Sequence, residues 1–211
     1  MTLTSTSITD GQPIDPQYAF CAPDPDATPP TTGGDNVSPH LAWANAPDGT
    51  RSFAVVVHDP DVPADASDVN QEGKTLPVDA ERTDFFHWLL VDVPVTVTEI
   101  PEGALKDGVT GGGEAPGPTS GFGIEGTNDY TSFMEGSDME GTYGGYDGPC
   151  PPWNDERLHH YHFTVYALDT ESLGLSEDGD FRGQDVRDAL DGHVLAQAEI
   201  VGTYTLNPDV G

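Results

Sequence analysis

The sequence predicts an all-β chain, an antiparallel β-sandwich with a few short peripheral helices. Short runs of β-branched and aromatic residues recur along its 211 residues. Gly/Pro turns separate those runs, where a parallel α/β sheet would need alternating helices. Helical periodicity is confined to one stretch near the C-terminus. The length suits one well-packed domain, residues 1–211.

Leu41–Trp43 reads as a short strand after the turn at Pro39. Arg51–His58 (RSFAVVVH) is β-branched and nearly all apolar, the mark of a strand covered on both faces. Phe85–Val93 (FFHWLLVDV) follows and stops at Pro94. In His159–Leu168 the period of two puts His159, Tyr161, Phe163, Val165 and Ala167 on one face. Gln184–Asp191 sets Val186, Ala189 and Leu190 on one helical stripe, with Gly192 as its stop. The last strand, Val194–Leu206, alternates: Val194, Ala196, Ala198, Ile200, Tyr204 and Leu206 face one side. Two acidic insertions interrupt the pattern, at about 64–84 and 107–142; the second holds ten glycines, seven acids and no basic residue. We read both as solvated, salt-adapted loops rather than lids.

Charge excludes some functions. Against 37 acidic residues stand 7 basic ones, a formal net charge of −30. Phosphate backbones need a basic patch, so nucleic acid is excluded as a partner, and an anionic membrane is disfavoured. A folded protein with a wholly acidic shell repels itself in dilute buffer, a repulsion that molar salt screens. The expectation is a salt-loving host. The N-terminus lacks the basic flank and apolar core of a secretory signal, which points to the cytoplasm. On that ground Cys21 and Cys150 are expected as reduced thiols rather than a disulfide.

Three segments set polar groups beside apolar strands. Asp59-Pro60-Asp61-Val62-Pro63 holds two carboxylates between prolines that restrict the backbone. His87 shares its face with Leu89, Val91 and Val93; a carboxylate from Asp59 or Asp61 on one ring nitrogen would favour the cation and free the other nitrogen to donate. In the loop Gly148-Pro149-Cys150-Pro151-Pro152 the available backbone donors are Gly148 and Cys150, and N–H groups in a tight bend make an anion-binding concavity. His159 and Tyr161 add donors roughly 6–7 Å apart along their strand. His160 and His162 form an H-x-H pair on the opposite face; without a third ligand at sensible spacing they read as surface histidines, and no metal or cofactor is expected.

Taken together, Asp59–Pro63 (DPDVP), Phe86–Pro94 (FHWLLVDVP), Gly145–Pro152 (GYDGPCPP) and Leu158–Asp169 (LHHYHFTVYALD) resemble the phosphatidylethanolamine-binding protein family, in its bacterial and archaeal Raf kinase inhibitor-like branch. Gly34–Trp43 and His193–Leu206 are similar to that branch too, so the likeness runs from about Leu3 to Leu206. The resemblance implies a two-sheet sandwich with Greek-key connections, and a small pocket for phosphate, acetate or a phospholipid headgroup. It implies ligand-binding roles for Asp59, Asp61, His87, Gly148, Pro149, Cys150, Pro151, His159 and Tyr161. It also suggests a homodimer and a protein partner of the kinase or protease type. Two departures stand out: Ala64-Asp65 replaces the Ser-Arg that follows this motif in eukaryotic members, and Phe85 replaces a tryptophan.

The function expected is non-catalytic binding of a small anion. The alternative is a metal-independent hydrolase of small esters or phosphoesters, with Asp59 and His87 acting on water or Cys150 as a nucleophile.

Overall fold

A computed structural model of the protein describes residues 1–210. Eleven strands run in chain order: β1 (Thr2–Thr4), β2 (Cys21–Pro23), β3 (Thr31–Gly33), β4 (Leu41–Ala44), β5 (Ser52–Pro63), β6 (Arg82–Pro94), β7 (Glu99–Ile100), β8 (Gly117–Thr119), β9 (Gly123–Glu125), β10 (His159–Leu168) and β11 (Val194–Tyr204). Two α-helices, α1 (Tyr130–Phe133) and α2 (Gly183–Leu190), and a 3-10 turn at Pro16–Tyr18 lie at the periphery. Six strands form one sheet in the order β11-β10-β5-β6-β9-β8; three form the facing sheet, β1-β4-β7; β2 and β3 make a separate hairpin. Pairing within the named sheets is antiparallel. No helix among the described residues is long and apolar enough to cross a membrane.

The β-branched run in β5 is covered on both sides, as its composition predicts. Phe53, Val55 and Val57 face inward with Phe163, Val165, Trp88 and Leu90, against Leu41, Trp43 and Ile100 of the smaller sheet. Ala54 and Val56 face outward beneath Val186 and Leu190 of α2. Each fully buried Val, Leu or Phe contributes about 1.5–3 kcal/mol. α2 lies close because Gly183 has no side chain: a Cβ there would stand 2.1 Å from a Phe86 ring carbon.

The parity assumed for β6 is corrected by a bulge. Val57 pairs with Trp88 and His58 with Phe86, leaving His87 as an extra residue. That residue reverses the alternation, so Trp88 and Leu90 belong to the inner core while Leu89 and Val91 pack under α2. A bulge re-aims the side chain it carries. Here it turns His87 to the inner side of the sheet, apart from Leu89 and Val91. β5 also runs on through the Asp59–Pro63 motif instead of ending there, with a further irregularity between Asp59 and Val62.

Three further expectations are revised. Cys21 and Cys150 form a disulfide, with Cα atoms 4.8 Å apart, so the reduced pair is wrong. The compartment argument could not see that the fold brings β2 against the Gly148–Pro152 loop. The insertion at 107–142 is partly ordered structure: β8 and β9 extend the large sheet beyond β6, and α1 packs Tyr130 into a cluster with Phe20 and Tyr143. In β11 the face assigned from alternation is apolar but starts in solvent, Val194 being exposed, and becomes buried only from Ile200 onward.

Candidate functional site

At the end of the large sheet where the β5 motif, the His87 bulge and the start of β10 meet, a pocket of about 520 Å³, counting its open mouth, enters the protein. Asp59, His87 and Tyr161 supply its polar lining; Val62, Pro63, Phe85, Tyr130, Phe133, Pro151 and Pro152 form an apolar collar. Cys150 lines it as half of the disulfide. Ala66, Val69 and Asn70 line it from the first insertion, Tyr130 and Phe133 from the second. Both insertions therefore build pocket wall, which a purely solvated reading missed.

Beneath the lining runs a chain of buried charges. His159, fully buried, donates from Nδ1 to Asp59 Oδ2 at 2.6 Å and from Nε2 to Asp155 Oδ2 at 3.1 Å. Asp155 is held in turn by Arg82, Nη1 to Oδ2 at 2.5 Å and Nη2 to Oδ1 at 3.0 Å. Burial alone would lower the His159 pKa; the hydrogen bonds it donates to Asp155 and Asp59 outweigh burial and raise the ring to about 9. The sequence Asp59–His159–Asp155–Arg82 thus alternates two carboxylates with an imidazole and a guanidinium, each carboxylate paired with a cationic partner. Asp59 also accepts the Asp61 backbone N–H on Oδ1 at 2.8 Å.

His87 is in a different state from the one expected. Its Nδ1 lies 2.8 Å from the Asp147 carbonyl oxygen, an acceptor, so Nδ1 carries the proton. Burial lowers its pKa to about 4, against the opposing pull of Asp59 and the carbonyls of Asp147 and Gly148. The ring is neutral at pH 7, and among the described residues none bonds Nε2. Tyr161 is an unspent donor of the pocket. Its hydroxyl is buried and has no hydrogen-bond partner among the described residues. Burial first, and then the Asp59 charge and the closeness of its carboxylate to the hydroxyl, push the phenol's pKa well up, although the contact falls short of a hydrogen bond of normal geometry.

Of the nine residues singled out, Asp59, His87, Cys150, Pro151 and Tyr161 line the pocket. The other four do not. Asp61 turns away to Arg157 Nε at 2.5 Å and His160 Nδ1 at 2.7 Å. His159 lies one layer below, holding Asp59. The Gly148 N–H is taken by Asn36 Oδ1 at 2.8 Å, so it is no free donor. Gly148 is nonetheless required: a Cβ would fall 2.0 Å from the Tyr18 carbonyl oxygen. Pro149 is fixed from outside, its carbonyl accepting the N–H groups of Phe20 and Cys21.

Residues that shape the site were missed as well. Asn36 and Asn128 clamp the buried Asp147 carboxylate at 2.9 and 2.8 Å, and the Tyr130 hydroxyl donates to the Gly148 carbonyl at 2.7 Å. Burial raises Asp147 to about 6 despite Lys106 beside it at 3.6 Å. The one sequence signal for Tyr130 was an aromatic pair, Tyr130 and Phe133, three apart in an otherwise polar, glycine-rich stretch.

A model of the phosphatidylethanolamine-binding protein family matches residues 4–205. The UPF0098 protein YbcL of Escherichia coli is 33% identical over 174 residues, 82% of this chain and 74% of its own. A UPF0098 protein of Aquifex aeolicus is 32% identical over the same length, 82% of this chain and 77% of its own. The crystal structure of E. coli YbcL, described as a member of the mammalian PEBP family, superposes with a TM-score of 0.67 at 31% identity, covering 97% of each chain.

Proposed function

The chain belongs to the phosphatidylethanolamine-binding protein family, and on that premise we propose that its pocket binds a small oxyanion of the phosphate type without chemical turnover. The observation that carries this reading is the Tyr161 hydroxyl, a buried donor lining the pocket that makes no hydrogen bond of normal geometry among the described residues. A buried polar group left unpaired costs about 1–3 kcal/mol, which a ligand oxygen would recover. The surrounding charge permits an anion there despite the net charge of −30. Asp59 is neutralised from behind by His159, whose second partner Asp155 is neutralised by Arg82. The apolar collar lowers the local dielectric and strengthens each polar contact made inside.

Calorimetric titration with inorganic phosphate in molar KCl tests this. Tyr161→Phe should weaken binding about tenfold or more, the value of one hydrogen bond to a charged group. His87→Ala should weaken it as well. Unchanged affinity in both variants removes the assignment.

One observation favours a second reading. A neutral His87 whose Nε2 is unengaged is placed to take a proton from water. Metal-free turnover of p-nitrophenyl phosphate that disappears in His87→Ala would establish a hydrolase. Cys150 is not its nucleophile, since its sulfur is bonded to Cys21.

A further inference from the structure

Few donors line the pocket: besides Tyr161, the Cys150 backbone N–H and the Asn70 side-chain amide make no hydrogen bond among the described residues. Tyr161 offers one O–H. Asp59 offers none: its two oxygens each receive one hydrogen bond from the protein, from the Asp61 N–H and from His159. A carboxylate has about four acceptor sites, so two remain for a ligand. His87, with its proton on Nδ1 against the Asp147 carbonyl, presents Nε2 as another acceptor. An oxyanion with no hydrogen would set its own lone pairs against those of Asp59 and His87. An oxyanion that keeps an acidic hydrogen turns the same contact into a charge-assisted hydrogen bond.

We infer that the pocket selects oxyanions that still carry a proton, namely inorganic phosphate and singly protonated phosphomonoesters, and rejects sulfate and phosphodiesters, with Asp59 as the residue that reads the hydrogen. This inference rests on the oxyanion reading above and narrows it. It turns the site away from intact phospholipids, whose phosphate is a diester without a titratable hydrogen at neutral pH. A second copy of the same logic is built into the ligand. A phosphomonoester loses its last proton near pH 6, whereas inorganic phosphate keeps one as HPO₄²⁻ throughout the neutral range.

The test is calorimetric titration of the intact protein in molar KCl with phosphate, phosphoethanolamine, glycerophosphoethanolamine, sulfate and ethanolamine. At pH 6, phosphate and phosphoethanolamine should bind, with sulfate and the diester about tenfold weaker or worse. Between pH 6 and 8 the phosphoethanolamine affinity should fall about tenfold per pH unit as its monoanion disappears, while phosphate holds. That contrast needs no variant, and titration of a protein group would move both ligands together. In Asp59→Asn, if it folds, the amide supplies a donor and the phosphate-to-sulfate ratio should drop towards one. Sulfate or the diester binding within threefold of phosphate in the unaltered protein overturns the inference. So does a phosphoethanolamine affinity that parallels that of phosphate across pH. Ethanolamine binding as well as phosphoethanolamine would overturn it in favour of an ammonium ligand on Asp59. Binding by none of the five compounds would instead sink the oxyanion reading on which it stands.

Discussion

His159 Nδ1 lies 2.6 Å from Asp59 Oδ2, and neither side chain is open to solvent. With Asp155 on the other nitrogen the imidazole is held as a cation up to about pH 9, against about 6.5 in an unfolded chain. A pKa raised on folding stabilises the protein fully below the unfolded value and is lost as pH rises through the folded one. Stability should therefore decline between about pH 6.5 and 9, by on the order of 3 kcal/mol from this group. Urea unfolding at intervals from pH 6 to 10 measures it. His159→Gln should flatten the decline at the cost of lower stability at pH 6; a wild-type curve already flat over that range would show that the ring is not charged.

Glu125 makes the opposite kind of statement. Burial pushes its carboxyl to about 7, with Glu114 and Asp147 adding to the shift and Trp88 and Lys106 opposing it. Its Oε1 accepts the Trp88 indole N–H at 3.1 Å. The protonated form is the one the fold favours, so its contribution is present below about pH 4.5 and lost as pH rises through 7. Glu125→Gln keeps an acceptor for Trp88 and removes the charge. It should stabilise the protein by about 1–3 kcal/mol at pH 8 and by little at pH 5. Equal effects at the two pH values would show that the carboxyl titrates normally.

The disulfide closes a loop of 129 residues and ties the Gly148–Pro152 pocket loop to β2. Loop-closure entropy alone assigns such a crosslink on the order of 4–5 kcal/mol. Cys21→Ser with Cys150→Ser should lower the unfolding free energy by about 3–5 kcal/mol, and dithiothreitol should do the same to the unaltered protein. The serine pair melting within a degree of the parent would mean that the bond contributes nothing to stability.

Much of this architecture was legible because burial on two faces leaves a plain record. Arg51–His58 and His159–Leu168 are β-branched and aromatic along most of their length, and both are central strands. The side chains that reach the pocket were legible as types but not as directions. A period of two places His159 and Tyr161 together, which is right, yet says nothing of depth, and only Tyr161 reaches the cavity. The same period misplaced His87 relative to Leu89 and Val91, because one inserted residue reverses the side chains that follow until a further irregularity before Val93, and bulges leave no compositional mark. Asn36, Asn128 and Arg82 were invisible for another reason. Their partners Asp147 and Asp155 lie 111, 19 and 73 residues away, and no local pattern encodes a contact that only tertiary packing creates.

Salt dependence follows from how few counter-charges the chain supplies. Seven lysines and arginines face 37 acids, and two of the seven, Lys106 and Arg82, are committed to the interior. Exposed pairs such as Lys74–Asp68, Arg51–Glu171 and Arg187–Asp84 engage only single carboxylates, and each such pair is worth about 1 kcal/mol or less. The remaining acids repel one another over distances that the Debye length controls, about 10 Å at 0.1 M salt and about 3 Å at 1 M. The melting temperature should therefore rise steeply with KCl up to about 1 M and level off beyond it. Every 1 kcal/mol gained should appear as about 2–4 °C. A rise that continues linearly past that concentration would point to strengthened burial of apolar surface instead, because screening is by then nearly complete. No rise at all would mean that the acidic shell does not strain the fold.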